Sequence, residues 1–220
     1  GSAMARKTKE EARETRAAIQ KAALALFATR GISETTLSDV ARTAGVTRGA
    51  IYWHFENKEA LLHSLRDETC LPYEQIALAG EKEDEPDPLG RLRDMLRALI
   101  EDAADSGVTR QVFQIWLDRG RLGIKDRGEN AQEEEERRHA AIRKTESILK
   151  NAVRQGQLPK NFDIRLGALS MMSFIDGTIV AVLLAPASRN IKDDILRLID
   201  AFLFAMQADN NPYLLQEPAA

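Results

Sequence analysis

Hydrogen-bond donors are concentrated in the segment from Thr47 to Lys58. Thr47 offers a hydroxyl, Arg48 a guanidinium, and Gly49 a backbone that no side chain shields. Groups of this kind bind phosphate oxygens, and a guanidinium also matches the two acceptors on the edge of a guanine base. The segment therefore predicts recognition of a phosphate polyanion, with double-stranded DNA as the expected partner.

The residues around this segment have the pattern of a helix-turn-helix motif. Thr36 is placed to cap a short helix that ends at Gly45, and Thr47 is placed to cap the next helix. Ala41 is small where the two helices must cross, and Gly45 permits the sharp turn. In such a motif the first turn of the second helix meets the base edges in the major groove. The expected DNA-contacting residues are Thr36, Thr47, Arg48, Gly49, Tyr52, Trp53, His54 and Lys58.

The aromatic residues at the end of the second helix have two alternative roles. Tyr52, Trp53 and Phe55 could all be core residues that close a short helix. We assign that role to Phe55, as a plug between the first and fourth helices, and place Tyr52 and Trp53 on the DNA side. His54 has no second histidine, cysteine or carboxylate nearby at ligand spacing, so neither a metal site nor catalysis is expected there.

Helix-favouring residues dominate the 220-residue chain, and apolar residues recur at helical spacing, which predicts an all-α fold of about nine helices. Residues 4–66 hold 11 Lys and Arg against 7 Asp and Glu, although the whole chain carries a net charge of −3. We expect a basic helix-turn-helix domain over residues 10–57 and a second helical domain over residues 58–210. Pro72 should end or kink the fourth helix. Long helices are predicted over residues 10–30, 89–105, 109–117, 129–154, 164–184 and 191–207.

These motifs resemble the TetR family of transcriptional repressors, within it the AcrR and TtgR branch that controls multidrug efflux. The matching segments are residues 5–11, 35–37, 45–55 and 57–58, and weaker similarity continues in residues 87–90, 151–159 and 174–177. The resemblance implies a dimer in which the last two helices of each subunit form a four-helix bundle. It also implies a ligand cavity among the middle helices, whose filling separates the two DNA-binding heads.

The last two long helices support a homodimer on physical grounds as well. The helix over residues 164–184 is apolar on two faces, one containing Leu169 and Ile175 and the other Phe174 and Ala181. A single subunit has difficulty burying both faces, so one face should pack internally and the other against a partner. A two-fold dimer would also read two half-sites of a pseudo-palindromic operator.

Methionines and aromatic residues on the middle helices predict a pliable pocket for a small hydrophobic or aromatic ligand. The resemblance makes Asp176 a ligand-facing acid that would favour cationic or donor-rich compounds, although this carboxylate could equally stabilise a helix contact. Phe113 and Leu117 stand where the branch has polar residues, so the ligands can differ. Any one of these residues could instead be ordinary core. The predicted ligand-binding residues are Met95, Leu96, Leu99, Phe113, Trp116, Leu117, Met171, Met172, Phe174, Ile175 and Asp176.

The expected function is a ligand-responsive repressor of a multidrug efflux operon that acts in the cytoplasm without a metal or other cofactor. The chain has no P-loop, glycine-rich dinucleotide loop, nucleophile elbow or HExxH motif, so an enzyme is not expected. The longest apolar runs are shorter than the ~20 residues that span a bilayer, so no membrane partner is expected. The alternatives are a regulator of metabolic genes, an activator, or a ligand-binding protein without a DNA role.

Overall fold

The computed structural model describes residues 2–122, 131–186 and 189–215. Within these ranges the chain forms nine α-helices, and its single isolated β-bridge joins Phe162 to Leu214. The prediction of an all-α fold is therefore confirmed. The helices are α1 (Ser2–Arg30), α2 (Leu37–Ala44), α3 (Arg48–His54), α4 (Lys58–Leu78), α5 (Pro88–Ala104), α6 (Val108–Leu122), α7 (Ala131–Arg154), α8 (Ile164–Leu184) and α9 (Lys192–Gln207), with a 3₁₀ turn at Ala79–Glu81.

The described helices belong to two compact units. The first contains the chain up to Cys70 together with Gln111–Arg121, and the second contains the remaining described residues. The expected domain boundary between residues 57 and 58 coincides with the start of α4, whereas the first unit also includes α4 as far as Cys70. The reason is apolar packing, because Leu61 and Leu62 are fully buried in the core of the first unit.

The core of the first unit is formed by apolar side chains from α1 to α4 and from the middle of α6. Ile19, Val40 and Ile51 are at most 1% exposed and join α1, α2 and α3 in this core. The contacts of α1 with α2 and of α2 with α3 are the packing that a helix-turn-helix requires. The predicted motif is therefore present as a folded unit.

Local signals account for most helix ends in this unit. Gly31 and Gly45 have φ values of 84° and 69°, the left-handed conformation that ends a helix and that glycine adopts most readily.

The predicted start of α1 at residue 10 is wrong, because α1 begins at Ser2. Residues 2–9 contain neither Gly nor Pro, and the Thr8 hydroxyl donates to the Met4 carbonyl at 3.2 Å.

The proline in α4 does not end that helix, contrary to one of the two expectations for it. α4 continues through Pro72 to Leu78. A proline lacks the amide that would bond to the carbonyl four residues earlier, here that of Glu68. Both Pro72 and Glu68 are exposed, so water can hydrogen-bond to the carbonyl that the proline leaves without a donor.

The second unit is built on α5, α7, α8 and α9. Its most deeply buried side chains are Leu92, Leu96, Ile100, Ile148, Leu149, Met171, Ile199 and Met206. Asn151 of α7 donates to the carbonyls of Gly80 and Lys82, each at 2.8 Å, and so holds the segment that follows α4. The predicted start of α7 at residue 129 lies outside the described residues.

Helix α8 is apolar over a longer stretch than the runs of apolar residues in the sequence suggested. Of the described helices, α8 is the one that is long and apolar enough to cross a membrane, with a mean hydropathy of 1.8 over its most apolar window. Core helices of globular proteins meet the same criterion. Only 33% of this apolar part of α8 is buried within the chain, so much of its apolar surface is not covered by the chain itself.

The N-terminus of α5 provides a stability test. Asp87 is its N-cap and accepts a hydrogen bond from the Gly90 amide at 2.9 Å. Replacing Asp87 with Ala should lower the free energy of unfolding by about 1 kcal/mol, since the first turn loses its cap. Urea unfolding followed by circular dichroism at constant protein concentration measures this change.

Asp87→Asn is the matched control, because asparagine caps helices about as well as aspartate but does not titrate. The pKa of Asp87 is lowered from 3.8 mainly by the hydrogen bond from Gln157. A folded-state pKa below the unfolded value means that the carboxylate stabilises the fold fully above pH 3.8 and loses this contribution as the pH falls through the folded pKa. The stability difference between wild type and Asp87→Asn should therefore change in acid and be constant at neutral pH. A difference that is the same at every pH would contradict this account.

Candidate nucleic-acid interface and ligand-contact residues

The first turn of α3 is open to solvent. Thr47 is the N-cap, with its hydroxyl oxygen 3.2 Å from the Ala50 amide that donates to it. Thr47, Arg48 and Gly49 are all exposed. A Cβ added at Gly49 would find only the Thr47 hydroxyl oxygen, at 4.0 Å. A DNA backbone can therefore approach this turn closely.

The aromatic residues of α3 divide between the two faces of the helix. Ile51 and Phe55 lie one turn apart and are 0% and 3% exposed, whereas Tyr52 and Trp53 are 48% and 74% exposed. The expectation that Phe55 is a core residue is therefore confirmed, and the core alternative is wrong for Tyr52 and Trp53. The guanidinium of Arg48 lies 5.9 Å from the centre of the Tyr52 ring. Arg48 and Tyr52 are thus neighbours on the exposed side of α3.

His54 lies at the margin between the exposed surface and the core. Its ring is partly buried and meets the Trp53 ring edge to face, with 4.7 Å between centroids. Burial lowers the pKa of His54, and the positive charge of Arg16 lowers it further. Both effects favour the neutral imidazole, and the neutral ring can exchange a hydrogen bond with DNA.

Thr36 caps the N-terminus of α2. Its hydroxyl accepts from the Asp39 amide at 3.1 Å and its own amide donates to the Asp39 carboxylate at 3.1 Å, which together form a capping box at the start of α2. The Thr36 hydroxyl also donates to that carboxylate at 2.8 Å. Hydrogen bonds from the Thr36 backbone and hydroxyl lower the pKa of Asp39. Thr36 is exposed, but its hydroxyl proton is already donated within the protein.

Lys58 has an internal role that sequence reasoning did not identify. Its ammonium donates to the carbonyls of Ile32 and Thr35, at 2.8 and 3.2 Å, and so ties α4 to the loop that follows α1. These bonds use two of the three donors of an ammonium group. Because Thr35 directly precedes the cap of α2, Lys58 helps to position the helix-turn-helix.

Arg16 is a second residue that sequence reasoning missed. Its guanidinium lies 4.5 Å from the centre of the buried Phe55 ring and pairs with Glu68 at 2.9 Å. Gln20, one turn further along α1, donates to the same carboxylate at 2.8 Å. Arg16 and Glu68 are 52 residues apart, and no local spacing signal connects them. The pair joins α1 to α4 around the base of α3.

The predicted ligand-binding residues fall in both compact units. Phe113, Trp116 and Leu117 belong to the first unit and are partly buried. In the second unit, four of the predicted residues are buried: Met95, Leu96, Leu99 and Met171. Three others there are partly buried, namely Met172, Phe174 and Ile175, and Asp176 is exposed.

Several of these side chains have defined partners. Phe174 stacks on Phe202 with 4.3 Å between ring centroids. The Asp176 carboxylate pairs with Arg138 at 3.1 Å. In the first unit, the Trp116 ring contacts three cationic or titratable side chains at 4.8 to 5.2 Å, namely Arg66, Arg119 and His63.

The structure also describes two surface cavities in the second unit, of about 380 and 340 Å³. Residues at the end of α8 and the start of α9 contribute to the lining of the first cavity. The second cavity lies between the start of α5 and α9. None of the predicted ligand-binding residues lines either cavity. In the part of the chain that the structure describes, no group of three His, Cys, Asp or Glu residues is arranged to hold a metal ion.

The helix-turn-helix and the helical second unit define a class of DNA-binding regulators, and comparison with known proteins identifies the family. Residues 19–65 match the model of bacterial regulatory proteins of the tetR family, and residues 87–208 match that of the MAATS-type transcriptional repressor C-terminal region. The chain therefore belongs to the TetR family of transcriptional regulators.

The similarity to individual relatives extends over most of the chain. The chain is 39% identical over 203 residues to the regulator TtgR of Pseudomonas putida, covering 91% of this chain and 95% of that protein. It is 33% identical over 194 residues to AcrR of Shigella flexneri, covering 87% and 88%. Its fold matches the triclosan complex of SmeT, the repressor of the Stenotrophomonas maltophilia multidrug efflux pump SmeDEF, with a TM-score of 0.76, 26% identity and coverage of 94% and 99%. These relatives are transcriptional regulators and not enzymes.

The contacts of Lys58 generate a prediction that separates a structural role from a DNA contact. Lys58→Met keeps most of the aliphatic stem but leaves the Ile32 and Thr35 carbonyls without their charged donor. The variant should lose about 1–2 kcal/mol of unfolding free energy, as measured by urea unfolding. Lys21→Met, at an exposed position of α1, is the control and should be neutral. Unchanged stability in Lys58→Met together with weaker DNA binding would show that Lys58 serves DNA alone.

Proposed function

We propose that this protein is a dimeric repressor that binds a pseudo-palindromic operator of a multidrug efflux operon and leaves it when a small hydrophobic or aromatic compound binds. The observation that carries the proposal is the division of α3 between a buried face and an exposed one. Ile51 anchors the helix in the core, and Arg48, Tyr52 and Trp53 remain available to a duplex. The protein would act in the cytoplasm and would need no cofactor.

The exposed face of α3 has the groups that major-groove binding requires. Arg48 would contact a guanine edge or a phosphate, and Thr47 and Gly49 would lie against the sugar-phosphate backbone. Tyr52, Trp53 and His54 would follow the same strand. Thr36 would lie beside the duplex at the start of α2 and would donate to phosphate only after its hydroxyl turns away from Asp39. Lys58 would have one remaining donor for phosphate while it holds the loop before α2 in place.

The exposed apolar surface of α8 and α9 supports the dimer. Six large apolar side chains on these two helices are between 37% and 74% exposed, namely Leu166, Leu169, Val180, Leu184, Leu198 and Phe204. An apolar surface of this extent marks a protein interface in a soluble protein. A second copy of the chain would cover it by pairing the last two helices of each subunit, in an isologous contact with two-fold symmetry.

The buried methionines and the aromatic side chains of the middle helices support the ligand part of the proposal. Met95, Leu96 and Leu99 would form an apolar wall on α5, and Met171, Met172, Phe174 and Ile175 would contribute from α8. Phe113, Trp116 and Leu117 of α6 are proposed as ligand-contact residues of the first unit. Methionine and aromatic side chains adapt to ligands of different shape, which suits a multidrug regulator. The triclosan complex of the similar repressor SmeT shows one aromatic compound bound to a relative.

A mobility-shift experiment tests the proposed function. DNA from the region flanking the protein's own gene should be retarded specifically, and triclosan should abolish the retardation. Arg48→Ala should weaken this binding at least tenfold without changing stability, because Arg48 is exposed and its guanidinium lies 5.9 Å from the centre of the Tyr52 ring. Arg13→Ala, another exposed arginine, is the matched control and should bind normally. Equal binding to unrelated DNA sequences would refute operator recognition.

The dimer surface generates a separate prediction. Phe204 is 74% exposed on α9, so Phe204→Glu should leave the subunit folded but place a charge in the proposed interface. The variant should sediment as a monomer at concentrations where the wild type is a dimer, and it should bind operator DNA more weakly. Leu71→Glu, at a 48% exposed leucine outside α8 and α9, is the control and should remain dimeric. A dimeric Phe204→Glu protein would place the interface elsewhere.

A further inference from the structure

An ion pair neutralises the one carboxylate in the proposed ligand-binding set. Nη1 of Arg138, on α7, lies 3.1 Å from Oδ2 of Asp176, on α8, and both side chains are 51% exposed. An ion pair this exposed contributes little to stability. Within the proposed ligand-binding set, the carboxylate is therefore paired with a cation that little energy is needed to remove.

The ion pair borders the apolar residues of the same helices. Met172 lies one turn before Asp176 on α8, and its sulfur is 3.9 Å from the Thr145 hydroxyl of α7. Arg138 lies two turns before Thr145 on α7. The Arg138–Asp176 pair and the Thr145–Met172 pair therefore both join α7 to α8, and the Arg138–Asp176 pair lies nearer the start of α7. A ligand with an aromatic body on the Met172 side could place a charged group beside Asp176.

We propose that Arg138 is a specificity-determining residue, an internal competitor that occupies Asp176 until an aromatic organic cation displaces it. This inference rests on the proposed function, since it assumes that Asp176 faces the ligand. A cationic ligand beside Asp176 meets the positive charge of Arg138 and gains the full attraction of the carboxylate only when Arg138 moves away. A neutral ligand of the same shape leaves the pair intact. Arg138 therefore weakens binding of cations relative to neutral compounds.

Displacement of Arg138 from Asp176 requires only a change of rotamer, because the Arg138 side chain is 51% exposed and the released guanidinium can be hydrated by solvent. The competition is consequently between a paired and a released arrangement of one side chain, and a ligand shifts their populations by its own affinity for Asp176.

The other ion pairs of α7 provide a control. Lys144 pairs with Glu74 at 3.8 Å, and neither residue belongs to the proposed ligand-binding set. Lys144 is 48% exposed, close to the 51% of Arg138, so loss of either charge should have a similar small effect on stability. Lys144→Gln therefore removes one positive charge from the same helix without releasing Asp176.

The experiment compares two aromatic probes of similar bulk, the tetraphenylphosphonium cation and neutral triphenylphosphine oxide, by isothermal titration calorimetry. Arg138→Gln should tighten binding of the cation about three- to fivefold, the range that an exposed ion pair can supply. It should change binding of the neutral probe less than twofold. Adding Asp176→Asn to Arg138→Gln should remove the gain, and Lys144→Gln should change neither affinity.

The outcomes distinguish this inference from the proposed function. If the wild-type protein binds the neutral probe, but Arg138→Gln affects both probes equally or the gain survives Asp176→Asn, the competitor role of Arg138 is wrong and ligand binding stands. If the wild-type protein and all variants bind neither probe and no aromatic compound releases the DNA, the ligand part of the proposed function fails, and this inference fails with it. Thermal unfolding of each variant confirms that the protein compared is folded.

Discussion

The exposed DNA-binding surface depends on the burial of two side chains one helical turn apart, Ile51 and Phe55. Burying each side chain of this size stabilises the fold by roughly 1.5–3 kcal/mol. Rotating α3 to hide Tyr52 and Trp53 would expose both anchors, so the core of the first unit sets which face of α3 meets solvent. The arrangement of Thr47, Arg48 and Gly49 at the start of the helix follows from this constraint, because a helix fixes the relation between its two faces.

Polar contacts around that core fix the position of the helix-turn-helix relative to α1 and α4. Lys58 binds the loop before α2 through two carbonyls, and Arg16 covers the buried Phe55 ring while it pairs with Glu68. Each contact joins α1 or its following loop to α4. The residues that hold the motif in place are thus different from those that would touch DNA, with Lys58 as the residue that could serve both purposes.

The second unit has more apolar surface than one subunit can cover. Met171 is fully buried on α8, whereas Leu169 and Leu184 of the same helix are about half exposed, at 46% and 47%. A helix that is apolar on two faces needs two apolar neighbours. One of them is the rest of the second unit, and the other would be the partner in the proposed dimer. The same property explains why α8 satisfies the length and hydropathy criteria for a membrane span.

The sequence by itself determined which segments are helical and where several helices end, because caps, glycine stops and apolar spacing act within a few residues of one another. It did not determine the start of α1 or the continuation of α4 through Pro72. Thr36 and Thr47 cap α2 and α3 as their positions indicate, and Gly45 separates them in the left-handed conformation. Tertiary structure alone decided which polar groups meet: Lys58 bonds to a carbonyl 26 residues away, and Arg138 pairs with a carboxylate 38 residues away. It also decided how α4 and α6 divide between the two units. Such contacts depend on how helices pack in three dimensions, and no short-range spacing in the chain encodes that packing.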